Sequence, residues 1–351
     1  MTAADSTGEP TEGPKRRFSL PRIRRRGRPW IRRRWLRWTV RVLLGLFVLG
    51  TLFSFVYNLA TSGDQKPASA LYPGPYVQID GRSVAYRELG TKGAPIIFLG
   101  GFAEPSWVWR PVMRRLALGH RVYALDLPPF GYSERKGPYS LAGWTSLVRD
   151  FAAHFGLRRP IVVGHSLGAA VAVNFGLQAP RNTAGVVLLD GDALPVGGPH
   201  WLANLVINPY YTTIFRLITH SDWLVHKVLV QTLGPDRSPT TSAEVDDFER
   251  PFRVDGTEQG FHDLFRGGVQ GLTLADLRRL NVPRIVVWGQ HDTVDDLAAG
   301  RTSARALGVK VKVIPHAGHL SMLGEPAAVA KAIGSFAARI ERAPSKSARK
   351  H

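Results

Sequence analysis

The chain has 351 residues, 44% of them hydrophobic, which is enough for one large core domain carrying an insertion or for two ordinary domains. It contains no cysteine, which excludes disulfides, cysteine nucleophiles and thiolate metal sites. The net charge of +19 sits at the ends: residues 1–41 hold thirteen Lys/Arg against three acids and the last fifteen residues five against one, so the tails carry +14 and no basic reader surface on a folded domain is implied.

The basic tail, residues 1–41, reads as disordered. Residues 42–60, "VLLGLFVLGTLFSFVYNLA", follow without a charge and approach the roughly twenty residues that cross a hydrocarbon core. The arginine cluster on their N-terminal side places that tail in the cytoplasm and the rest of the chain outside, as a single-pass signal-anchor. A cleaved export signal is the alternative: "RRRWLR" (32–37) resembles a twin-arginine motif, and "ASA" would then give a cut near Ala70. The arginine run is expected to set topology and touch anionic lipid; nucleic acid is not an expected partner, and salt-sensitive DNA binding by the tail would be the sign of the rival reading.

After a linker, 61–74, "YVQIDGRSVAYREL" reads as a hairpin turning at Asp80-Gly81. Apolar, β-rich runs then recur at 95–100, 121–126, 160–165, 184–190, 283–289 and 309–314. Helical patterns lie between most of them, at 106–117, 140–156, 167–179, 296–307 and 325–341. Short apolar strands alternating with helices predict an α/β fold whose mostly parallel sheet is covered on both faces and binds ligand at the strands' carboxyl ends. The core is assigned to 75–190 and 276–341. Residues 191–275 interrupt the alternation as a helical insertion, a lid rich in aromatics from Trp201 to Phe265, which either roof the site or form a small core of their own. A basic tail, 342–351, ends the chain.

Within "IVVGHSLGAAVAV" (161–173), Gly164 closes an apolar strand and Gly168 opens an alanine-rich helix around Ser166. A strained turn that projects a serine hydroxyl needs very small residues two positions to either side, where strand and helix cross. The same turn puts the Leu167 N–H at a helix start, where developing negative charge is favoured. The bland alternative for Ser166 is a helix cap, which needs neither glycine.

A serine hydroxyl requires a base and a carboxylate to orient it. "VVWGQHDTVDD" delivers Asp292 at the end of one strand, and "VIPHAGHLSMLGEP" delivers His319 after the next. Asp190 and Asp192 remain open as the acid and His316 as the base, while Asp295 and Asp296 are assigned to the following helix. His165, His291, Gly131 and Ser133 are read as structural.

From about residue 76 to 340 the chain resembles α/β-hydrolase-fold serine enzymes, on "GHSLGA", "GQHDTV", "AGHLSMLGEP" and "ALDLPPFGYSE" (124–134). The resemblance implies a loop after the first core strand that supplies a second oxyanion donor. In "FLGGFAEPSW" that donor is the Phe102 N–H, with Gly100 where the family usually has histidine. Serine rather than aspartate at the elbow argues against dehalogenase and epoxide-hydrolase chemistry.

Acyl transfer to water through Ser166, His319 and Asp292 is therefore expected, with no cofactor and no metal, on a small apolar acyl ester. Carbon–carbon bond hydrolases, aminopeptidases and cofactor-free perhydrolases share this set of groups, and a non-catalytic binding module on the same scaffold is the alternative from another class. Oligomeric state is not legible.

Overall fold

The structure, a computed structural model, describes residues 29–195, 210–235 and 240–342, with side chains from residue 34 onward. The chain divides into two units at residues 52 and 53. Helix α1 (Pro29–Ala60) crosses that division and is long and apolar enough to span a membrane, as an anchor or a signal sequence. It starts at Pro29, so the end of the segment expected to be disordered is helical.

In the second unit, β1 (Tyr76–Ile79) and β2 (Arg82–Leu89) form the expected hairpin, with Asp80 and Gly81 both at positive φ, as a two-residue type I′ turn requires. The core strands are β3 (Pro95–Leu99), β4 (Arg121–Leu125), β5 (Ile161–His165), β6 (Gly185–Leu189), β7 (Arg284–Gly289) and β8 (Val311–Ile314). The sheet runs β1-β2-β4-β3-β5-β6-β7-β8, antiparallel around β2 and parallel from β4 onward.

Successive residues of a strand point to opposite faces, and both faces are covered. Ile97 and Leu99 enter one hydrophobic core, Ile96 and Phe98 the other. Burial on both sides is why these strands read as unbroken apolar runs.

The other α-helices among the described residues are α2 (Ala68–Leu71), which precedes β1, α3 (Arg110–Leu116), α4 (Leu141–His154), α5 (Leu167–Gln178), α6 (Tyr210–Thr219), α7 (Asp222–Leu233), α8 (Ser242–Glu249), α9 (Thr257–Gly267), α10 (Leu274–Arg279), α11 (Leu297–Leu307) and, after β8, α12 (Ser321–Gly324) and α13 (Pro326–Arg342). Among the described residues, helices α6 to α10 belong to the insertion between β6 and β7, and α10 runs past the expected boundary at residue 275. Local chemistry starts them: Ser221 caps α7, and Thr241 with Glu244 and Thr273 with Asp276 close capping boxes on α8 and α10.

Residues 61–74, read as a linker, are docked. The Lys66 N–H donates to the Arg253 carbonyl, and its own carbonyl accepts the Asp255 N–H, both at 2.9 Å. Tyr72 is buried and stacks on Tyr132 at 4.8 Å. The "ASA" at 68–70 accordingly lies in a helical turn packed on the domain.

Candidate active site

Strand β5 ends at His165 and α5 begins at Leu167, leaving Ser166 alone in the turn at φ 47° and ψ −121°. That conformation is rare for a residue with a side chain and is held by the surroundings. A Cβ on Gly164 would stand 2.0 Å from the Gly168 carbonyl oxygen, and one on Gly168 2.6 Å from that of Gly100. The spacing that singled out both glycines is thus explained by backbone crossing backbone. Ser166 occupies the helix N-cap position but makes no capping hydrogen bond, which removes the bland alternative. The Leu167 N–H is the first of α5 and has no carbonyl one turn back.

His319 follows β8 and is nearly buried; its Nδ1 lies 2.9 Å from Asp292 Oδ2. Asp292, just past the end of β7, is fixed by two backbone donors to its other oxygen, Val294 N–H at 2.9 Å and Asp295 N–H at 3.0 Å. Among the rival acids, Asp190 is fully buried, accepts the Gly289 N–H at 2.6 Å and is bound by the Ser321 hydroxyl. Burial pushes its carboxyl up to about 7. Asp192 accepts the Leu194 N–H. Of these three acids, Asp292 is the one joined to His319.

One assignment changes. Asp295 and Asp296 precede α11 rather than lying on it, and Asp296 is its N-cap, accepting the Ala299 N–H at 2.8 Å. His316 is exposed at positive φ, and His291 is an exposed loop residue whose N–H donates to the Ala317 carbonyl at 2.8 Å. Ser133 and Gly131 shape a turn around buried Asp126.

Ser166 and His319 line one cavity of about 640 Å³ together with Phe102 and Glu104. Its walls are apolar and come largely from the insertion: Phe215, Phe248, Phe252, Phe261 and Phe265 among others. Trp201 lies outside the described residues, and Trp223 is exposed. The Phe102 ring packs edge-on against Phe130 and Phe261, 5.4 and 5.5 Å away. Among the described residues the Ser166 hydroxyl has no hydrogen-bond partner.

Two groups escaped sequence reasoning. Glu104 accepts the Gly101 N–H at 2.7 Å and faces His165 Nδ1 at 2.8 Å, while His165 Nε2 contacts the His319 carbonyl at 2.8 Å. Burial alone would lower the His165 imidazole; the Glu104 carboxylate overrides it and holds the ring up at about 9. Gly101 packs so close that a Cβ there would meet the Ser166 Cβ at 2.8 Å. Glu104 therefore stiffens the loop that carries Gly101 and Phe102. Nothing but the acid in "GGFAEP" hinted at it.

The second is Gly191, where a Cβ would stand 2.4 Å from the Ser166 carbonyl oxygen. Glu104, His165 and His319 approach within 4.8 Å of one another, but both nitrogens of His165 and Nδ1 of His319 are already engaged, which leaves a poor cradle for a cation.

Residues 96–332 match the model of the alpha/beta hydrolase family. Over 270 residues the chain is 29% identical to the dihydrolipoyllysine-residue acetyltransferase component of the acetoin cleaving system of Cupriavidus necator, covering 75% of this chain and 68% of that one. It is 27% identical to carboxylesterase YbfK of Bacillus subtilis, with 70% and 81% covered. Among solved structures it resembles a bacterial membrane phospholipase A (TM-score 0.64, 21% identity, 89% of this chain and 100% of that one) and an esterase from Thermogutta terrifontis (0.61, 22%, 76% and 99%). A mostly parallel sheet, a serine elbow at its centre and a family match over two thirds of the length agree: the chain belongs to the alpha/beta hydrolase family.

Proposed function

We propose that the protein is a membrane-anchored serine hydrolase that cleaves apolar acyl esters. The observation that carries this reading is the 2.9 Å contact between Asp292 and His319, in a cavity that His319 shares with Ser166.

In the proposed reaction the Ser166 hydroxyl turns toward His319 Nε2 and gives up its proton as Oγ attacks the ester carbonyl. The carbonyl π bond breaks to an oxyanion facing the N–H groups of Phe102 and Leu167. Collapse expels the alcohol, which takes the proton from His319, and leaves an acyl-enzyme. Water, deprotonated by the same imidazole, then releases the acid and restores the serine. Asp292 holds the ring so that Nε2 faces Ser166.

The insertion acts as a lid whose rings receive the acyl group. Helix α1 is the anchor, with the basic tail cytoplasmic and the hydrolase outside. Support comes from the apolar stretch and its arginine flank, and from the likeness to the membrane phospholipase A, which runs over 89% of this chain where the esterase covers 76%.

A fluorophosphonate probe tests the chemistry: the full-length protein should label, and Ser166→Ala should not. An unlabelled wild type would favour a binding module. A panel of chromogenic esters of graded acyl length, run beside an amino-acid arylamide and a carbon–carbon hydrolase substrate, should show kcat/KM rising with chain length on the esters alone.

A further inference from the structure

Helix α6 stands between the end of α1 and the cavity. At 100° per residue, Tyr211, Ile214, Phe215, Ile218 and Thr219 share one face, and all five line the cavity. Thr213 and Arg216 fall on the other face and are buried, bonded to the last turn of α1 and to Thr61 just after it. The Thr213 hydroxyl bonds Asn58 Oδ1 at 3.0 Å, and Arg216 Nη1 donates to the Asn58 carbonyl at 3.0 Å and to Thr61 Oγ1 at 2.7 Å. Glu258 from α9 completes the clasp on Arg216 Nε.

Between these faces runs an edge of Ile214, Leu217 and Ile218, spaced i, i+3, i+4 and exposed by 51, 45 and 49%. Ile214 and Ile218 belong also to the cavity wall, as do exposed Val228 of α7, Phe265 of α9 and Val294. Among the described residues, the exposed part of the cavity wall is thus aliphatic and aromatic, without a Lys, Arg, Asp or Glu. Asn58 lies inside the apolar stretch and Thr61 directly after it, where an anchor helix emerges from hydrocarbon. The same short helix therefore touches the emergence point on one side and opens the cavity on the other.

We propose that the Ile214–Leu217–Ile218 edge rests in the interfacial layer of the membrane that holds α1, and that the substrate is an acyl ester of a bilayer lipid. Its chain slides from that layer past Ile214, Ile218 and Val228 into the cavity without crossing water, bringing the ester to Ser166. This rests on the anchored-hydrolase reading above and adds where the substrate comes from.

The full chain, reconstituted in phosphatidylcholine vesicles, is assayed on a fluorogenic long-chain acyl lipid in the same bilayer and on water-soluble p-nitrophenyl butyrate. Leu217 does not line the cavity. Leu217→Glu is expected to lower turnover of the bilayer lipid at least tenfold, leave butyrate turnover unchanged, and be rescued by Leu217→Ile. Equal loss on both substrates, or no loss on the lipid, overturns the proposal. Wild type that cleaves butyrate but no bilayer lipid overturns it while sparing the catalytic reading; wild type that cleaves neither sinks both.

A second measurement is independent of turnover. Because the chain has no cysteine, Leu217→Cys gives a single thiol for an environment-sensitive fluorophore. Its emission should shift blue in vesicles and be quenched by spin-labelled lipid. The same label at Leu118→Cys, 82% exposed just before β4 and so beyond the amino ends of the strands, should stay water-like. Water-like emission at position 217 overturns the proposal.

Discussion

Glu104 grips His165 with both carboxylate oxygens, Oε1 at 2.8 Å and Oε2 at 2.9 Å from Nδ1, in a pocket where the histidine side chain has no exposed surface. Because Glu104 also accepts the Gly101 N–H and His165 reaches the His319 carbonyl, one ion pair ties the loop of Phe102 to the loop of the proposed base. Glu104→Gln leaves a buried imidazolium without its counter-charge, and removing one partner of such a pair costs about 3 kcal/mol or more. Urea unfolding should show that loss, with part of it recovered in Glu104→Gln/His165→Asn. A drop in kcat with little change in KM should accompany it, and unchanged kcat in a folded Glu104→Gln would deny the loop this support.

Two buried groups make stability fall as pH rises. His165 is raised in the fold from 6.5 to about 9, so its contribution is complete below pH 6.5 and is lost as pH climbs through 9. Asp190 is raised from 3.8 to about 7, so the fold holds its proton more tightly than the unfolded chain, and stability declines between those values in the same direction. Thermal unfolding should therefore show a melting temperature highest in mild acid and several degrees lower by pH 9. His165→Asn should flatten the upper part of that slope; a melting temperature that rises from pH 6 to 9 would contradict the ion pair.

The choice of acid can be read kinetically. Asp292→Asn should lower kcat by about 10⁴ in ester hydrolysis, because the imidazole is then held in the wrong tautomer. Asp190→Asn should keep activity within roughly tenfold of wild type, since its oxygens serve Gly289 and Ser321 rather than His319. The reverse order would move the acid to the end of β6.

Gly191 carries a prediction of its own. An alanine there must displace the Ser166 main chain, where the clashing atoms are backbone rather than the tip of a side chain. Gly191→Ala should destabilise by about 2–3 kcal/mol, at the upper end of overpacking costs, and should reduce phosphonate labelling even where folded protein is recovered. Full labelling at wild-type stability would show that the β6 loop can yield.

Much of this was legible in the sequence because its causes are local. Strands buried on both faces advertise themselves as apolar runs, and each core strand was expected within about two residues of its observed ends. The spacing around Ser166 is legible because strand and helix cross only two residues away from it. What stayed hidden depends on chain segments distant in sequence. Glu104 is an unremarkable acid until β5 brings His165 beside it, and Gly191 is one more loop glycine until β6 sets it against the elbow. The docking of residues 61–74 was missed because a short polar stretch carries no periodic pattern, whereas Lys66 is held through its main chain.

The clasp on Arg216 bears on where the chain can be cut to make a water-soluble form. Two of its three acceptor groups, the Asn58 carbonyl and the Thr61 hydroxyl, are lost if the chain is begun after residue 61, leaving a mostly buried guanidinium with Glu258 alone. Kinetics measured on such a fragment would describe a protein whose insertion has lost part of its seat. Trimming that stops before Ser54 and replaces only the upstream apolar side chains would keep the insertion seated as it is in the intact protein.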